Sequence, residues 1–224
     1  MTLYIDCSYG ASGDMLAGAL IDLGADFSVI KDKLKNIPGV SEISAGKVKK
    51  SGVSATKFNV KFNSNHEEYV NLIKKIEELK LEPEVEATAK KILEKLAIAE
   101  SHAHGVRIEE VHLHEAADSI VDAVSFSIAF HELKQKFNFT DVCCGAISVG
   151  MLAPASKYII ESGKIPTKKI SDAEITTPTG AAILSAVVDR FAGEKFGAGK
   201  KFTRSGYGAG SRDFNYPNVV GIFI

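Results

Sequence analysis

Apolar and polar residues follow two different spacings along the chain, and the changes between them divide it into short strands and longer helices. Apolar runs and alternating segments predict strands, one segment being a hairpin that turns at Ser51-Gly52. These segments are 3–5, 41–62, 141–149, 173–176 and 219–224. Apolar residues three and four positions apart predict helices. The predicted helices are 15–23, 27–37, 67–79, 83–102, 115–134, 154–162 and 178–191.

Residues that start or end helices support several of these boundaries. Gly24 is placed as a C-cap, Pro83 as the start of a long helix, and Thr177 as an N-cap before Pro178. Because the helices are concentrated in the middle of the chain, we expect an α/β (α+β) fold with a mixed sheet. Its body comprises residues 1–65 and 140–224, and residues 66–139 form a helical segment with a histidine-rich loop.

Composition narrows the class of protein. The chain has 224 residues, and 27 basic against 28 acidic side chains give a formal charge of 27 − 28 = −1, which argues against nucleic-acid and membrane partners. No apolar run approaches the roughly 20 residues of a membrane-spanning helix. The first residues lack an export signal, and three cysteines form no closed disulfide set, so we expect a cytoplasmic protein.

The most informative segment is rich in histidine. Four of the six histidines fall between positions 102 and 114, in two His-x-His pairs. On extended backbone, residues i and i+2 point to the same side, so each pair can offer two imidazoles to one ion. Imidazole suits nickel, zinc, copper and iron. The candidate metal ligands are His102, His104, His112, His114, Glu115 and Asp118.

A plainer interpretation of the histidine segment stays open. The histidines form a solvated loop, and Glu115 and Asp118 favour the dipole at the start of the next helix. The other two histidines, His66 and His131, are isolated in sequence, and we expect each on the surface or on a helix face.

A glycine-rich turn over residues 6–14 is the second candidate site. Gly10 and Gly13 allow a tight turn whose backbone N–H groups, with the helix start, can hold an anion. The pattern is neither a Walker A motif nor a dinucleotide fingerprint. A structural turn with Ser12 or Asp14 as the N-cap explains it equally well. Cys7, in the same turn, is the cysteine for which thiolate chemistry is conceivable.

Two further segments suit anions. The hydroxyl groups of Thr177 and Thr179, with the backbone at Gly180, can bind an anion, although an ordinary N-cap explains the same residues. The glycine-rich stretch 204–210, followed by Arg212, fits either a phosphate site or a hairpin.

Taken together, these blocks resemble the nickel insertion proteins of nickel-pincer cofactor biosynthesis, in the same order over nearly the whole chain. The resembling blocks are 4–15 (YIDCSYGASGDM), 109–115 (EEVHLHE) with 118–122 (DSIVD), 176–184 (TTPTGAAIL), and 206–210 (GYGAG) with Arg212-Asp213. The chain departs from the family in two places: two residues fewer separate the histidine block from the DSIVD block, and residues 149–155 look shortened.

The resemblance implies a CTP-dependent cyclometallase. Such a protein inserts Ni²⁺ into pyridinium-3,5-bisthiocarboxylic acid mononucleotide and forms a carbon–nickel bond between two sulfur ligands. The candidate metal ligands above would then hold nickel, and Asp6 or Asp14 would remove the ring proton. The residues implied for binding the mononucleotide are Gly10, Ser12, Gly13, Thr177, Thr179 and Gly180.

The resemblance also implies partners. The chain stops near the point where longer members begin a C-terminal domain, so we expect it to be the amino-terminal, nickel-handling portion or a short form. CTP with Mg²⁺ or Mn²⁺ would bind through that domain, supplied by a partner chain. We further expect a homo-oligomer and a lactate racemase-type apoenzyme that receives the product.

Two other functions remain open at this point. A non-catalytic nickel-binding and delivery module would use the same histidines without making the product. A metal-dependent hydrolase would also use His-x-His pairs and carboxylates, but it needs a fixed ligand set with an open position. A clustered loop is a poor basis for such a set, so we rank the hydrolase last.

Overall fold

The computed structural model describes residues 1–62, 67–113, 116–193, 199 and 201–224. Within these residues, seven strands form one mixed sheet in the order β2-β3-β10-β11-β1-β6-β9. They are β1 (Thr2–Asp6), β2 (Val40–Lys50), β3 (Val53–Phe62), β6 (Asp141–Cys144), β9 (Arg190–Phe191), β10 (Ser205–Ala209) and β11 (Val219–Phe223). Two small sheets pair β4 (Glu67–Glu68) with β5 (His112–Leu113) and β7 (Ile147–Val149) with β8 (Thr167–Lys169).

The helices pack on this sheet and on one another. They are α1 (Gly13–Leu23), α2 (Phe27–Leu34), α3 (Tyr69–Glu78), α4 (Pro83–His104), α5 (Ala116–Phe137), α6 (Pro154–Ser162) and α7 (Pro178–Val187), with a short 3₁₀ turn over Ile108–Glu110. Helix α1 contacts β3, β10 and α5, and α4 contacts α5, α6 and α7. Helices and a mixed sheet together confirm the predicted α/β class.

The sheet mixes parallel and antiparallel pairs. Strand β1 runs parallel to β6 and antiparallel to β11, and β10 runs parallel to β3. The predicted hairpin is confirmed, since β2 and β3 pair antiparallel around Ser51-Gly52. Strands β10 and β11 also pair antiparallel, which favours the hairpin over the phosphate loop for the stretch 204–210.

Close approach between α1 and β10 fixes the central layer. A Cβ atom built on Gly208 would lie 1.7 Å from the carbonyl oxygen of Met15 and 2.5 Å from the amide nitrogen of Ala19. Only a residue without a side chain permits this backbone contact. Helix α1 therefore lies directly on the strand, and its N-terminus is held at the edge where the glycine-rich turn begins.

Asp22 connects the same helix to three strands. Its carboxylate accepts hydrogen bonds from Lys47 of β2, Thr56 of β3 and the backbone N–H of Tyr207 in β10, the last at 3.0 Å. Burial by itself would raise the pKa of Asp22, but these hydrogen bonds outweigh it and lower the pKa. The carboxylate thus supports the packing of α1 in its ionised form.

Several predicted boundaries are confirmed by the capping geometry. Gly24 has φ 115° and ends α1, Pro83 begins α4, and the Thr177 hydroxyl accepts the N–H of Gly180 at the start of α7. Asp26 additionally caps α2 through the Ser28 N–H, at 2.8 Å.

Other predicted boundaries are wrong. The helix predicted over 178–191 ends at Val187, because Arg190 and Phe191 pair with β6 as a sheet edge. The strand predicted over 173–176 is reduced to one bridge between Ala11 and Thr176. The strand predicted over 141–149 divides in two, and β7 leaves the main sheet to pair with β8. The helix predicted over 27–37 ends at Leu34, and that predicted over 67–79 begins at Tyr69.

The division into a body and a helical segment over 66–139 stays a prediction. One buried apolar cluster includes residues of both parts, such as Leu16 and Leu20 of α1 and Phe126 of α5. Across the described parts of the chain, no helix is both long enough and apolar enough to cross a membrane.

Candidate functional site

A cleft of about 480 Å³ opens where several separate parts of the chain meet. They include the start of α1, β3, α4, the first turns of α5, the segment leading into α7, and the connection from β10 to β11. The polar side chains that line this cleft include Ser12, Asp14, Lys57, Asn59, Glu100, Asp118, Ser119, Asp122, Glu174, Thr177, Thr179, Ser211, Arg212 and Asn218. Five of the sequence-predicted site residues are among them: Ser12, Asp14, Asp118, Thr177 and Thr179.

The glycine-rich turn and the start of α7 are joined by backbone hydrogen bonds. The N–H of Ala11 donates to Ile175 O, and the N–H of Thr177 donates to Ala11 O, each at 2.9 Å. Gly10 has φ +94°, a conformation that side chains disfavour, and a Cβ there would also lie 2.0 Å from Ile175 O. The turn is therefore a packed structural junction.

The predicted glycines lie behind the cleft wall. A Cβ on Gly180 would lie 2.4 Å from Ala11 O, and a Cβ on Gly13 would lie 2.0 Å from an Asp122 carboxylate oxygen. Gly10, Gly13 and Gly180 do not border the cleft. Their role in the structure is to let the two walls approach closely, which places the hydroxyls of the neighbouring residues at the cleft.

The cleft has an excess of acidic side chains. Its five carboxylates are Asp14, Glu100, Asp118, Asp122 and Glu174, against the cations of Lys57 and Arg212. Both cations already have partners: Lys57 donates to Asp14 and to Ser211 Oγ, and Arg212 donates to Glu174 O at 3.0 Å. The cleft is thus electrostatically suited to a divalent cation or a cationic group.

The start of α7 contributes hydroxyl groups to the opposite wall. Thr177 caps the helix, Thr179 is buried, and the Thr176 hydroxyl donates to Ser148 O at 2.7 Å. The first backbone N–H groups of an α-helix have no partners within the helix and favour an anion. This wall is the part of the cleft best suited to a phosphate.

The connection between β10 and β11 is the third wall, and its aromatic rings are stacked. Phe214 and Tyr216 have ring centroids 4.9 Å apart and an interplanar angle of 9°. Tyr216 stacks in turn on Tyr9 of the glycine-rich turn, at 5.8 Å and 14°. Of these three rings, Phe214 borders the cleft.

The structure contradicts the extended geometry assumed for the first histidine pair. Helix α4 continues through His104, so residues i and i+2 diverge by about 200° around its axis. Both side chains are exposed. The His102 ring lies against Tyr158, with centroids 4.4 Å apart, and His104 Nε2 lies 3.3 Å from Glu100 Oε2. This pair does not offer two imidazoles to one ion in the observed conformation.

The second pair is only partly described. His112 begins the short strand β5, as expected for extended backbone, and its Nε2 lies 4.0 Å from a Glu68 carboxylate oxygen. His114 and Glu115 lie outside the described residues, as does His66. Among the residues that are described, no three His, Cys, Asp or Glu side chains form a group able to hold a metal ion. The fixed ligand set of a hydrolase is therefore not found among them.

One contact links the histidine segment to the cleft. Glu100 borders the cleft, and its carboxylate contacts His104 one helical turn further along α4. Asp118 and Asp122, spaced by four residues on α5, both border the same cleft, as their helical spacing predicts. The exposed histidines and the acidic cleft are thus neighbouring features.

The structure bears on two expectations for the glycine-rich turn. Asp6 does not border the cleft, and its carboxylate accepts the N–H of Ser8 at 2.9 Å in a local turn. Cys7 is fully buried, with its Sγ 3.9 Å from that of Cys144, and this hydrogen bond together with burial raises its pKa well above the usual value. Burial and the contact with Cys144 therefore disfavour the thiolate form of Cys7.

His131 lies on a face of helix α5, one of the two positions expected for it, and only 7% of it is exposed. Its Nε2 lies 2.7 Å from the Thr88 hydroxyl and its Nδ1 3.3 Å from Glu84. Burial lowers the pKa of His131, Lys134 lowers it further, and Glu84 opposes both effects.

Several cleft residues are marked by no sequence pattern. Lys57, Glu100, Glu174 and Phe214 belong to no motif, and they come from β3, α4, the segment before α7 and the β10–β11 connection. Their common location depends on the sheet order, in which β10 lies between β3 and β11. Arg212, which the sequence offers as a candidate phosphate ligand, borders the cleft.

The fold and the site define an α/β protein with an acidic cleft beside an exposed histidine segment. Residues 3–224 match the family described as nickel insertion protein, and the chain belongs to this family. The resemblance seen in the sequence blocks is thereby confirmed. No solved structure matches the chain.

Curated relatives agree with the family assignment. The chain is similar to a pyridinium-3,5-bisthiocarboxylic acid mononucleotide nickel insertion protein of Staphylococcus epidermidis, 37% identical over 237 residues, and to one of Geobacillus kaustophilus, 34% identical over 246 residues. A putative nickel insertion protein of Citrifermentans bemidjiense is 36% identical over 241 residues. These matches cover 97–99% of the chain but 58–60% of the relatives.

Proposed function

We propose that this chain acts in the insertion of nickel into pyridinium-3,5-bisthiocarboxylic acid mononucleotide, the substrate named for its relatives. The observation that supports this most directly is the cleft, because it brings together the blocks on which the family resemblance rests. Residues of the glycine-rich turn, the DSIVD block, the TTPTG block and the segment around Arg212 all border it. These blocks are distant in sequence, so a shared ligand explains their common position.

The cleft offers different groups to different parts of this substrate. The start of α7, with Thr177 and Thr179, and the guanidinium group of Arg212 suit the phosphate. The carboxylates of Asp118 and Asp122 suit Ni²⁺ on its way to the two sulfur atoms, since oxygen ligands hold the ion more weakly than sulfur does. Nickel is the cargo here and leaves with the product.

The histidine segment would load the cleft. We propose that nickel first meets the set His102, His104, His112, His114, Glu115 and Asp118, of which Asp118 borders the cleft. Glu100 offers a path between the two regions, because its carboxylate contacts His104 and also borders the cleft. In this scheme the histidines exchange nickel readily, which suits a delivery step better than a closed site.

Formation of a carbon–nickel bond also requires a base. The ring carbon loses its proton, the electron pair of the broken C–H bond forms the bond to Ni²⁺, and the proton passes to the base. Of the two candidates, Asp14 borders the cleft and Asp6 does not. We therefore favour Asp14, whose carboxylate is positioned by Lys57, Ser12 and the N–H of Met15.

A requirement for CTP with Mg²⁺ or Mn²⁺ is an expectation from the resemblance alone. The cleft offers two partnered cations and the N-terminus of α7, which suit the single phosphate of the mononucleotide but not the three phosphates of CTP, so the described cleft does not fit this nucleotide. No step of the proposed chemistry passes through CTP. A separate CTP-binding partner chain, a homo-oligomer, a cytoplasmic location and transfer of the product to a lactate racemase-type apoenzyme remain parts of the proposal.

The proposal is tested by reconstitution. The purified chain is incubated with Ni²⁺ and the metal-free mononucleotide, with and without CTP and Mn²⁺, and the product is identified by mass spectrometry. We expect the nickel-containing mononucleotide. Bound nickel without product would support the non-catalytic delivery module instead, and no bound nickel would contradict both functions.

The ligand assignment has its own test. Replacing His102, His104, His112 and His114 together by alanine is expected to lower the nickel bound per chain, measured by equilibrium dialysis with metal analysis. An unchanged stoichiometry would rule out the histidine segment as the loading site. The matched control is His131→Gln, because His131 is buried away from this segment.

A further inference from the structure

Three stacked aromatic rings end at the cleft. Tyr9 belongs to the glycine-rich turn, Tyr216 stacks on it, and Phe214 stacks on Tyr216. The two interplanar angles, 14° and 9°, make the rings nearly parallel. Tyr216 covers one face of Phe214, which is half-buried and borders the cleft. This geometry leaves a planar apolar side chain at the edge of an otherwise polar cavity.

The connection that presents Phe214 is fastened to the rest of the protein. Lys50 donates to Arg212 O at 3.2 Å and to the Asp213 carboxylate at 2.6 Å. Asn218 Nδ2 donates to Arg212 O at 2.8 Å, and Lys57 donates to Ser211 Oγ at the same distance. Because these bonds fasten residues 211–213 immediately before the ring, binding a ligand would require little further ordering of this part of the connection.

We propose that Phe214 is the stacking platform for the pyridinium ring of the mononucleotide, and that it positions this ring between the phosphate and nickel regions of the cleft. This inference rests on the proposed function. A pyridinium ring is flat and cationic, so it gains both stacking and cation–π attraction on an aromatic face. The carboxylates that line the cleft favour the positive charge on the ring nitrogen. Arg212, two residues before Phe214, borders the same cleft and is the guanidinium group proposed above for the phosphate.

The absence of tryptophan from the sequence provides a direct test. Phe214→Trp introduces the single indole of the chain, and a pyridinium ring stacked on it would quench its fluorescence. Titration with the metal-free bisthiocarboxylic acid mononucleotide is expected to give saturable quenching, whereas ribose 5-phosphate, which lacks the ring, is expected to give none. The matched control is Phe202→Trp, which packs on Phe223 and does not border the cleft.

Affinity gives a second measurement. Phe214→Leu is expected to weaken binding of the metal-free mononucleotide by about 5- to 100-fold in calorimetry, the range for loss of base–aromatic stacking. Phe214→Tyr, which keeps an aromatic face, is expected to retain it. Circular dichroism and urea unfolding check that the leucine variant is folded. A folded leucine variant that binds like the unchanged protein, or a calorimetrically bound ligand that leaves Phe214→Trp unquenched, would overturn the inference.

The same experiments separate this inference from the proposed function. Quenching and tight binding without any nickel product would sustain the stacking platform and contradict nickel insertion by this chain. Nickel insertion that proceeds in Phe214→Leu with an unchanged KM would sustain the function and overturn the platform. A mononucleotide that does not bind the unchanged protein at all would overturn both.

Discussion

The cleft and the histidine segment assemble their side chains in opposite ways. The cleft collects residues from β3, α4, α5, the start of α7 and the β10–β11 connection, which are far apart in sequence. The histidine segment concentrates similar side chains within thirteen positions (102 to 114), yet His102 and His104 are exposed and have separate local partners.

This difference shows that proximity in sequence and convergence in space are separate properties. A helix turns neighbouring side chains away from one another, so a His-x-His pair on α4 diverges. Strand β3 and the starts of α1, α5 and α7, by contrast, bring together side chains that no local pattern connects. The comparison predicts that the cleft depends on close packing, whereas the described part of the histidine segment does not.

The largest expected effect comes from filling the junction behind the cleft. Gly180→Ala would place a Cβ 2.4 Å from Ala11 O, a backbone atom that cannot move aside cheaply. We expect a loss of about 1–3 kcal/mol in the free energy of unfolding, as for overpacking elsewhere. Urea unfolding measures it. Gly46→Ala, where nothing lies within 4 Å, is the control and should not destabilise. Equal stability of Gly180→Ala and Gly46→Ala would contradict the claim that the cleft depends on close packing.

A somewhat smaller effect is expected at the support of α1. Asp22→Asn removes the charge that accepts hydrogen bonds from Lys47, Thr56 and Tyr207, at a cost of about 1–3 kcal/mol near neutral pH. The pKa of Asp22 is lower in the folded protein than in the unfolded chain. The difference in free energy of unfolding between Asp22→Asn and the unchanged protein is therefore fully present above the unfolded pKa of about 3.9. It shrinks as pH falls through the pKa of the folded state.

The matched control for Asp22 is an exposed carboxylate. Asp32 pairs with Lys35 on the surface of α2, so Asp32→Asn should change the free energy of unfolding by less than about 0.5 kcal/mol at any pH. Denaturant unfolding from pH 3 to pH 7 compares the two variants. A pH-independent difference for Asp22→Asn would contradict an ionised carboxylate at this position.

His131 tests how a buried histidine differs from the exposed ones. The pKa of His131 is lower in the folded protein than in the unfolded chain. As pH falls below about 6.5, the unfolded chain therefore binds the proton before the folded protein does. Stability should therefore decrease from pH 6.5 down to the folded pKa, with a slope of at most about 1.4 kcal/mol per pH unit. His131→Gln should abolish this part of the slope, and His104→Gln, at an exposed site, should leave it intact. If His104→Gln abolished this slope and His131→Gln left it intact, the slope would not arise from His131.

The smallest effect is expected in the histidine segment itself. His102→Ala and His104→Ala should each change the free energy of unfolding by less than about 0.5 kcal/mol, because both side chains are exposed. Thermal unfolding measures this, and nickel binding is measured on the same samples. A large destabilisation without loss of nickel would show that the segment is structural, contrary to the comparison.

Much of the fold follows from the sequence because its signals are local. The hairpin at Ser51-Gly52, the caps at Gly24 and Thr177 and the long amphipathic α4 all depend on neighbouring residues. The errors arise where distant pairing decides the outcome. Arg190 and Phe191 form a strand instead of continuing the predicted helix, because they pair in parallel with β6. Thr176 forms only an isolated bridge with Ala11, so the strand predicted there is absent.

The residues of the candidate site show the same difference between local signals and distant contacts. Ser12, Asp14, Asp118, Thr177 and Thr179 lie within recognisable blocks and could be predicted, whereas Glu100 belongs to no block and Phe214 lies just beyond the block that ends at Asp213. The role of Gly180 was misplaced for a related reason: the sequence shows a flexible residue but not the backbone of Ala11 packed against it.

The burial of Cys7 and Cys144 has a consequence for which sulfur atoms can bind nickel at the cleft. Sulfur in its thiolate form binds nickel more strongly than carboxylate or imidazole groups do, so a reactive cysteine beside the cleft would compete with the sulfur atoms of the proposed substrate. All three cysteines are buried, and the raised pKa of Cys7 keeps its sulfur protonated. The protein thus withholds its own strongest ligands. An ion passing through the cleft would meet its first thiolate-type sulfur on the molecule that is to receive it.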